Sequence, residues 1–265
     1  MDASMKKFNT VVYCGLVINC LLLGIIWYST SLLLGDPDLQ WTLSYDERRL
    51  MEVMSWVKIP FMVAILVQII SLFILDKFPK IGLTIAILSS IIMLPLSLIF
   101  ITGYLYAYEN RTNGSLIEFT DTQADIQILF RTNQIQFMSI LYIILGGVIA
   151  FLGLGFGWLL FVAGIVTLCN LKRLKNRILI GLDQDNLILT PNLYSKTYLV
   201  PFSCVNILKN NDKILKLHIV TPTLDRKITY RKAMLAGEDF NQILTHILSK
   251  ISGNDLQSSS SSTQS

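Results

Sequence analysis

Polar and apolar residues separate along this chain on two length scales. Residues 8–35, 59–75, 81–108 and 132–171 contain no Asp, Glu, Lys or Arg. A helix rises about 1.5 Å per residue, so roughly 20 apolar residues cross a hydrocarbon core of ~30 Å. The pattern therefore predicts four membrane-spanning helices, over about 8–35, 56–76, 81–108 and 136–170. A soluble helical bundle fits poorly, because charge-free runs this long leave no side for water. The fourth run admits two forms: one long helix, or a tight hairpin broken near Gly153–Gly157.

After Arg177 the period of the pattern shortens. Arg177–Leu182, Leu187–Thr190, Thr197–Val200, Ser203–Leu208, Lys213–Val220 and Arg226–Arg231 read as short strands. Asp183–Asn186, Pro191-Asn192, Asn210–Asp212 and Pro222–Asp225 supply turn residues between them. Leu215, Leu217 and Ile219 alternate with Lys216 and His218, as expected of a half-buried antiparallel strand. Phe240, Ile243, Leu244, Ile247, Leu248 and Ile251 then fall on one helical face. Glu238 and Asp239 stand at the start of that helix, Lys250 near its end and Gly253 just past it. The predicted fold class is a four-helix transmembrane domain, 1–171, with a small C-terminal α+β domain, 172–252. Residues 253–265, with their serine run, carry too little apolar surface to fold.

Composition agrees: charged residues make up 15% of the chain, against about 25% in a typical soluble domain. Charge also predicts orientation. Lys6 and Lys7 precede the first span, Lys77 and Lys80 follow the second, and Lys172, Arg173, Lys175 and Arg177 follow the fourth. The connection 109–131 is the least basic for its length. By the positive-inside rule both termini are expected in the cytoplasm, with 36–58 and 109–131 facing outward. The same rule favours a single helix over 136–170, because a hairpin would carry the strongest basic cluster outside. The first apolar run is too long for a cleaved signal peptide and is read as an uncleaved anchor.

The stretch Lys172-Arg-Leu-Lys-Asn-Arg-Ile-Leu-Ile-Gly-Leu-Asp-Gln-Asp-Asn-Leu-Ile-Leu189 is similar to the start of bacterial pleckstrin-homology-like (PH-like) domains that follow membrane helices. Val200-Pro-Phe-Ser-Cys-Val-Asn-Ile207 looks like their Ile-Pro-Trp strand, with Phe202 where Trp is usual. The resemblance covers about 170–251. It implies a PH-like fold, a bacterial inner-membrane location and an interaction role without an assigned reaction. Asn110-Arg-Thr and Asn113-Gly-Ser match glycosylation sequons, but a bacterial host would leave them unmodified.

Candidate chemistry is sparse. The four cysteines, Cys14, Cys20, Cys169 and Cys204, form no CxxC pair. His218 and His246 stand in no metal or catalytic-triad spacing, and no phosphate-loop motif is present. No catalytic set, cofactor or metal is expected. In the spans, Asn19 and Gln68 either line a solute path or, by preference, hydrogen-bond to neighbouring helices. Pro60 costs little in the first turn of its span; Pro95 should bend the third. Gly153 and Gly157 match the small-xxx-small pattern, serving helix packing within the monomer or a homo-oligomer. Lys172, Arg173, Lys175 and Arg177 set topology and offer a lipid-facing basic cluster. The region 171–251 holds thirteen Lys/Arg against six Asp/Glu, a net of +7, without the basic–aromatic stripe of a nucleic-acid binder.

The sequence thus predicts a non-enzymatic membrane protein whose cytoplasmic PH-like module meets a protein partner or the anionic lipid surface. The alternative is a component of a small-molecule transporter or channel.

Overall fold

The computed structural model describes residues 9–120, 124–184, 186–232, 244–246 and 248–249, except for the side chains of Gln40 and Trp41. It divides into two compact units, one of residues 1–111 and 143–166, the other of 112–142 and 167–265.

In the first unit, α1 (Thr10–Gly35) and α3 (Tyr45–Lys77) run antiparallel, joined by the short α2 (Pro37–Thr42). Ser44 caps α3: its hydroxyl accepts from the Glu47 amide while the Glu47 carboxylate reaches back to the Ser44 amide. Lys58 lies 5.2 Å from the centre of the Trp27 ring, a cation–π pair joining the two helices. Pro60 is accommodated inside α3, whose helix begins well before the apolar run.

The expected third span, 81–108, is not one helix. It is α4 (Pro79–Ile91) and α5 (Leu98–Thr112), of 13 and 15 residues, separated by the turn 92–97. The two fold back on each other: a Cβ at Gly82 would fall 2.6 Å from the Tyr104 hydroxyl. Arg111, at the end of α5, returns to the side of Asp76, at 3.6 Å, near the end of α3. A 13-residue helix spans only ~20 Å, so the hairpin enters the bundle and leaves from the end where it began. Ser97 Oγ donates to the Ser90 carbonyl at 2.6 Å across the turn, and Met93 packs with Ala64 and Ile65 of α3. The break follows from Pro95, which cannot donate to a helical ladder.

Two glycines make the approach of α1 and α5 reciprocal. A Cβ on Gly15 would lie 2.4 Å from the Phe100 backbone, and one on Gly103 2.4 Å from that of Val12. The pairing 12 with 103 and 15 with 100 is antiparallel. The start of α1, the end of α3 and the end of α5 therefore share one end of this unit.

The expected single helix over 136–170 is likewise two, α6 (Thr132–Phe151) and α7 (Phe156–Leu174). Gly153, at φ 81°, makes the turn between them, a left-handed conformation that only glycine adopts without strain. A Cβ at Gly146 would fall 2.4 Å from the Phe161 amide, and one at Gly157 2.3 Å from the Ala150 amide. Backbones in contact at 146 with 161 and at 150 with 157 define a tight antiparallel hairpin. Among the described residues, four helices are thus long and apolar enough to cross a membrane: α1, α3, α6 and α7.

The second unit holds the strands. β1 (Ile117–Glu118), β2 (Ile126–Leu129), β3 (Ile178–Asp183), β4 (Asn186–Leu189) and β5 (Tyr198–Pro201) form one antiparallel sheet in the order β1-β5-β4-β3-β2. A 3-10 turn at Phe202–Cys204 leads into a second antiparallel sheet of β6 (Val205–Asn210), β7 (Ile214–Thr221) and β8 (Leu224–Arg231). The six C-terminal strands lie within two residues of their predicted bounds. Ile128, Leu187 and Val200 from one sheet share a core with Val205, Leu217 and Tyr230 of the second-sheet segment, and with Leu244. The rest of the expected helix 238–251, and the tail 253–265, lie outside the described residues.

This sheet overturns one feature of the expected topology. Ile117 and Glu118 pair with Leu199 and Tyr198, and Ile126 and Ile128 with Leu182 and Ile180. A hydrogen-bonded sheet cannot be divided by a bilayer, so residues 112–131 lie on the same side as the C-terminal strands, not opposite them. The globular domain is accordingly discontinuous: it begins near 112, not at 172.

Candidate functional site

A polar concavity of the second unit forms where α7 passes into β3. Leu174, 1% exposed, anchors the end of α7 in the core. The Lys175 amide then donates to the Leu171 carbonyl at 3.0 Å and the Arg177 amide to that of Leu174 at 3.1 Å. Asn176 sits between them at φ 63°, the left-handed conformation that ends many helices and that Asn tolerates.

Arg177 is held by the β4–β5 connection. Its Nη1 donates to the Ser195 carbonyl at 2.7 Å. Asn192 shapes that loop, its Oδ1 accepting from the amides of Tyr194 and Ser195 at 2.8 and 3.0 Å. The facing wall comes from β1 and its continuation. The Phe119 amide donates to the Thr197 carbonyl at 2.9 Å, and Lys196 Nζ meets Glu118 Oε2 at 2.6 Å. Together these segments enclose a pocket of ≈ 260 Å³ lined by Arg173, Lys175, Asn176, Arg177, Thr120 and Thr197, among others.

Three of the four predicted cluster residues, Arg173, Lys175 and Arg177, therefore line one concavity; Lys172 belongs to the last turn of α7 and is not among them. Among the described residues, no carboxylate lines the pocket. Two physical effects favour cations here. The C-terminal end of a helix carries about half a negative charge, and cations at the end of a membrane helix gain about 1 kcal/mol each wherever the leaflet is anionic. The pocket offers guanidinium and ammonium donors to an anion, with the Thr120 and Thr197 hydroxyls beside them. Among the described residues, no group of His, Cys, Asp and Glu is placed to hold a metal ion.

Sequence reasoning missed the wall supplied by Glu118, Phe119 and Thr120. The available signal was the alternation Ile126-Gln-Ile-Leu-Phe130, which marks a strand inside the supposed outer loop.

The remaining singled-out residues are placed elsewhere. Gly157 meets Ala150 within the chain, whereas Gly153 lies in the turn with open space beside it. Asn19 Nδ2 donates to Gln68 Oε1 at 2.9 Å, and Gln68 Nε2 to Ser90 Oγ at 3.2 Å. His218 Nε2 lies 2.7 Å from Asp225 Oδ1. That hydrogen bond, with Coulombic help from His218 and Lys227, holds the Asp225 carboxyl below its ordinary range. Tyr230, fully buried, donates its hydroxyl to the Thr190 carbonyl at 3.0 Å, and burial pushes its phenol upward. The four cysteines are free. Asn113, within the second sequon, is 0% exposed and accepts from Arg226 Nη1 at 2.6 Å.

Fold and site together define a membrane protein carrying a β-rich globular domain built from two separated stretches of chain. Comparison with protein families, with characterised proteins and with solved structures finds no match.

Proposed function

We propose that this is a non-enzymatic membrane protein whose globular domain engages the anionic lipid surface through the pocket at the exit of α7. The observation that carries the reading is the convergence of Arg173, Lys175 and Arg177 on one concavity at the end of a membrane helix, with no carboxylate among its described lining residues. Such a position puts the donors at headgroup depth. The domain itself is read as PH-like. Two antiparallel sheets around a common core, with Leu244 in it and Leu248 packed against it, support that reading.

The orientation is read as cytoplasmic for the domain and both termini, in a bacterial inner membrane. Parity supports it: α1, α3, α6 and α7 give four crossings, while α4–α5 returns to its starting end. The basic segments 6–7, 77–80 and 172–177 then share one side, together with Arg111 and Arg131. The opposite side receives the mixed connection 36–58 and the uncharged turn 152–155.

The test uses the full chain, because a fragment from Leu171 onward lacks β1 and β2. Purified protein is offered phosphatidylglycerol or phosphatidylcholine in mixed micelles, and retained lipid is counted by native mass spectrometry. Phosphatidylglycerol should be preferred, and Lys175→Gln should weaken that preference about fivefold, the equivalent of one cation. Equal retention of the two lipids, at low and high salt alike, would defeat the reading.

A second reading, as part of a small-molecule pathway, is favoured by the α4–α5 hairpin. Helix breaks at membrane depth are tolerated where they are buried in protein or line a water-filled cavity. Ser90, Ser97, Gln68 and Asn19 are all fully buried around this one. Swelling of proteoliposomes in small polyols, absent when Gln68 is replaced by Leu, would support it; swelling no faster than that of empty liposomes would not.

A further inference from the structure

The second sheet carries a patch of charge that the exit pocket does not use. On β8, Leu224, Ile228 and Tyr230 are buried, while Asp225, Lys227, Thr229 and Arg231 are exposed. On β7, Leu215, Leu217 and Ile219 are buried, and Ile214, Lys216 and His218 stand on the other face with Val220. The outer face of the sheet is therefore set by strict alternation. Register then brings its cations together. Lys209 of β6 is directly opposite Lys216, whose partner on β8 is Thr229. Lys227 and Arg231 flank that Thr229 and so lie diagonal to Lys216.

Like charges directly opposite across two strands are destabilising, and diagonal neighbours lie within reach of long side chains. A folded sheet ordinarily offsets such a cluster with acids. Here no ion pair joins Lys209, Lys216, Lys227 or Arg231 to a carboxylate among the described residues. Asp225, the acid on the same face, is already hydrogen-bonded to His218, at 2.7 Å. Among the described residues only the Asp225 carboxylate offsets this charge, through its Coulombic attraction for Lys227.

We propose that the outer face of β6–β8 is a docking surface for an acidic segment of a partner protein. Charge complementarity selects an acidic partner. The other outward residues select a protein among polyanions. No Phe, Tyr or Trp stands at the outward positions of β7 and β8, and the imidazole of His218 is engaged by Asp225, so the row of stacking aromatics of a single-strand nucleic-acid binder is missing. Leu208 and Val220, 47% and 44% exposed, put apolar area beside the cations. Apolar contact bordered by charge is the composition of a protein interface. Asp225 adds a fixed negative point that a uniform anionic surface would meet unfavourably but that a partner cation can match.

The test uses the full chain in neutral phosphatidylcholine nanodiscs, where the exit pocket has no anionic lipid to bind. The probe is a labelled 12-residue peptide alternating Glu with Leu, followed by fluorescence anisotropy. Two variants are compared. Lys216→Glu with Lys227→Glu reverses the centre of the patch. Lys209→Glu alone sets an acid opposite Lys216 and should raise the melting temperature while weakening the peptide at least threefold. The double reversal should weaken it more than tenfold. Loss of binding in a variant that melts higher than the parent cannot come from misfolding. Unchanged peptide binding in both variants would overturn the proposal. So would tighter binding of a single-stranded RNA 12-mer, or of phosphatidylglycerol vesicles, lost with the same substitutions.

Discussion

The side-chain amide of Asn19 donates to that of Gln68 at 2.9 Å, joining α1 to α3 at a level where neither residue is exposed. Gln68 passes the interaction on to Ser90 of the re-entrant hairpin. One polar chain therefore ties together three helices inside an otherwise apolar unit.

Removing the middle of that chain should cost more than removing one end. Gln68→Leu leaves Asn19 Nδ2 without its acceptor and should destabilise the protein by about 1–2 kcal/mol, near the upper end of such bonds in membranes. Asn19→Leu combined with Gln68→Leu should cost less than the sum of the two single changes. Unfolding in mixed micelles with increasing denaturing detergent measures both. Additive losses would mean that the two amides act independently.

Glycine-mediated approach is predicted to be strict at Gly15 and Gly103. A Cβ at either would fall 2.4 Å from a neighbouring backbone atom, and backbone yields far less than a side chain does. Gly103→Ala should destabilise the protein by about 1–3 kcal/mol through overpacking. Gly24→Ala, on α1 with nothing within 4 Å, is the control and should be neutral or slightly stabilising through helix propensity.

The shared sheet makes a topological prediction. In a cysteine-free background, single cysteines at Gly114 and Asn211 should react with a membrane-impermeant maleimide from the same side of inverted vesicles, and one at Asp38 from the other. Labelling of 114 and 211 from opposite sides would mean that β1 and β2 do not pair as described.

The His218–Asp225 pair should make stability depend on pH in one direction. Asp225 titrates below its ordinary value in the folded protein, chiefly because His218 is hydrogen-bonded to it. A depressed carboxyl contributes stability above its unfolded pKa of about 3.9, and the contribution fades as pH falls through the lower folded value. The melting-temperature gap between the parent and Asp225→Asn should therefore be present at about pH 5 and close towards about pH 3. A gap that stays constant would separate the pair from stability.

Residue type alone conveyed the material of each region. The alternation at Lys213–Val220 and the turn residues before and after it located strands correctly, because period two survives in any half-buried sheet. Charge-free length located the membrane segments, but length is blind to folding back. Residues 81–108 and 136–170 contain enough apolar residues for one span each, yet the first holds Pro95 and the second Gly153, and each becomes a hairpin. Reading charge with one crossing per run then forced 109–131 to the wrong side. β1 is two residues long and carries one apolar residue, so its pairing with β5 leaves almost no periodic trace. The exit pocket was half legible for the same reason: Arg173, Lys175 and Arg177 lie within five residues of one another, whereas Thr120 arrives only through that pairing.

The discontinuous sheet has a consequence for how the chain is made. β1 and β2 leave the ribosome before α6 and α7, and β3 and β5 only afterwards. The early strands must wait, unpaired, while the hairpin is inserted and turned back. If α7 failed to return, β3 would emerge on the far side and could never meet Ile126 and Ile128. Closure of the sheet therefore depends on correct threading: a misinserted chain is left with open strand edges, and a correctly threaded one conceals them.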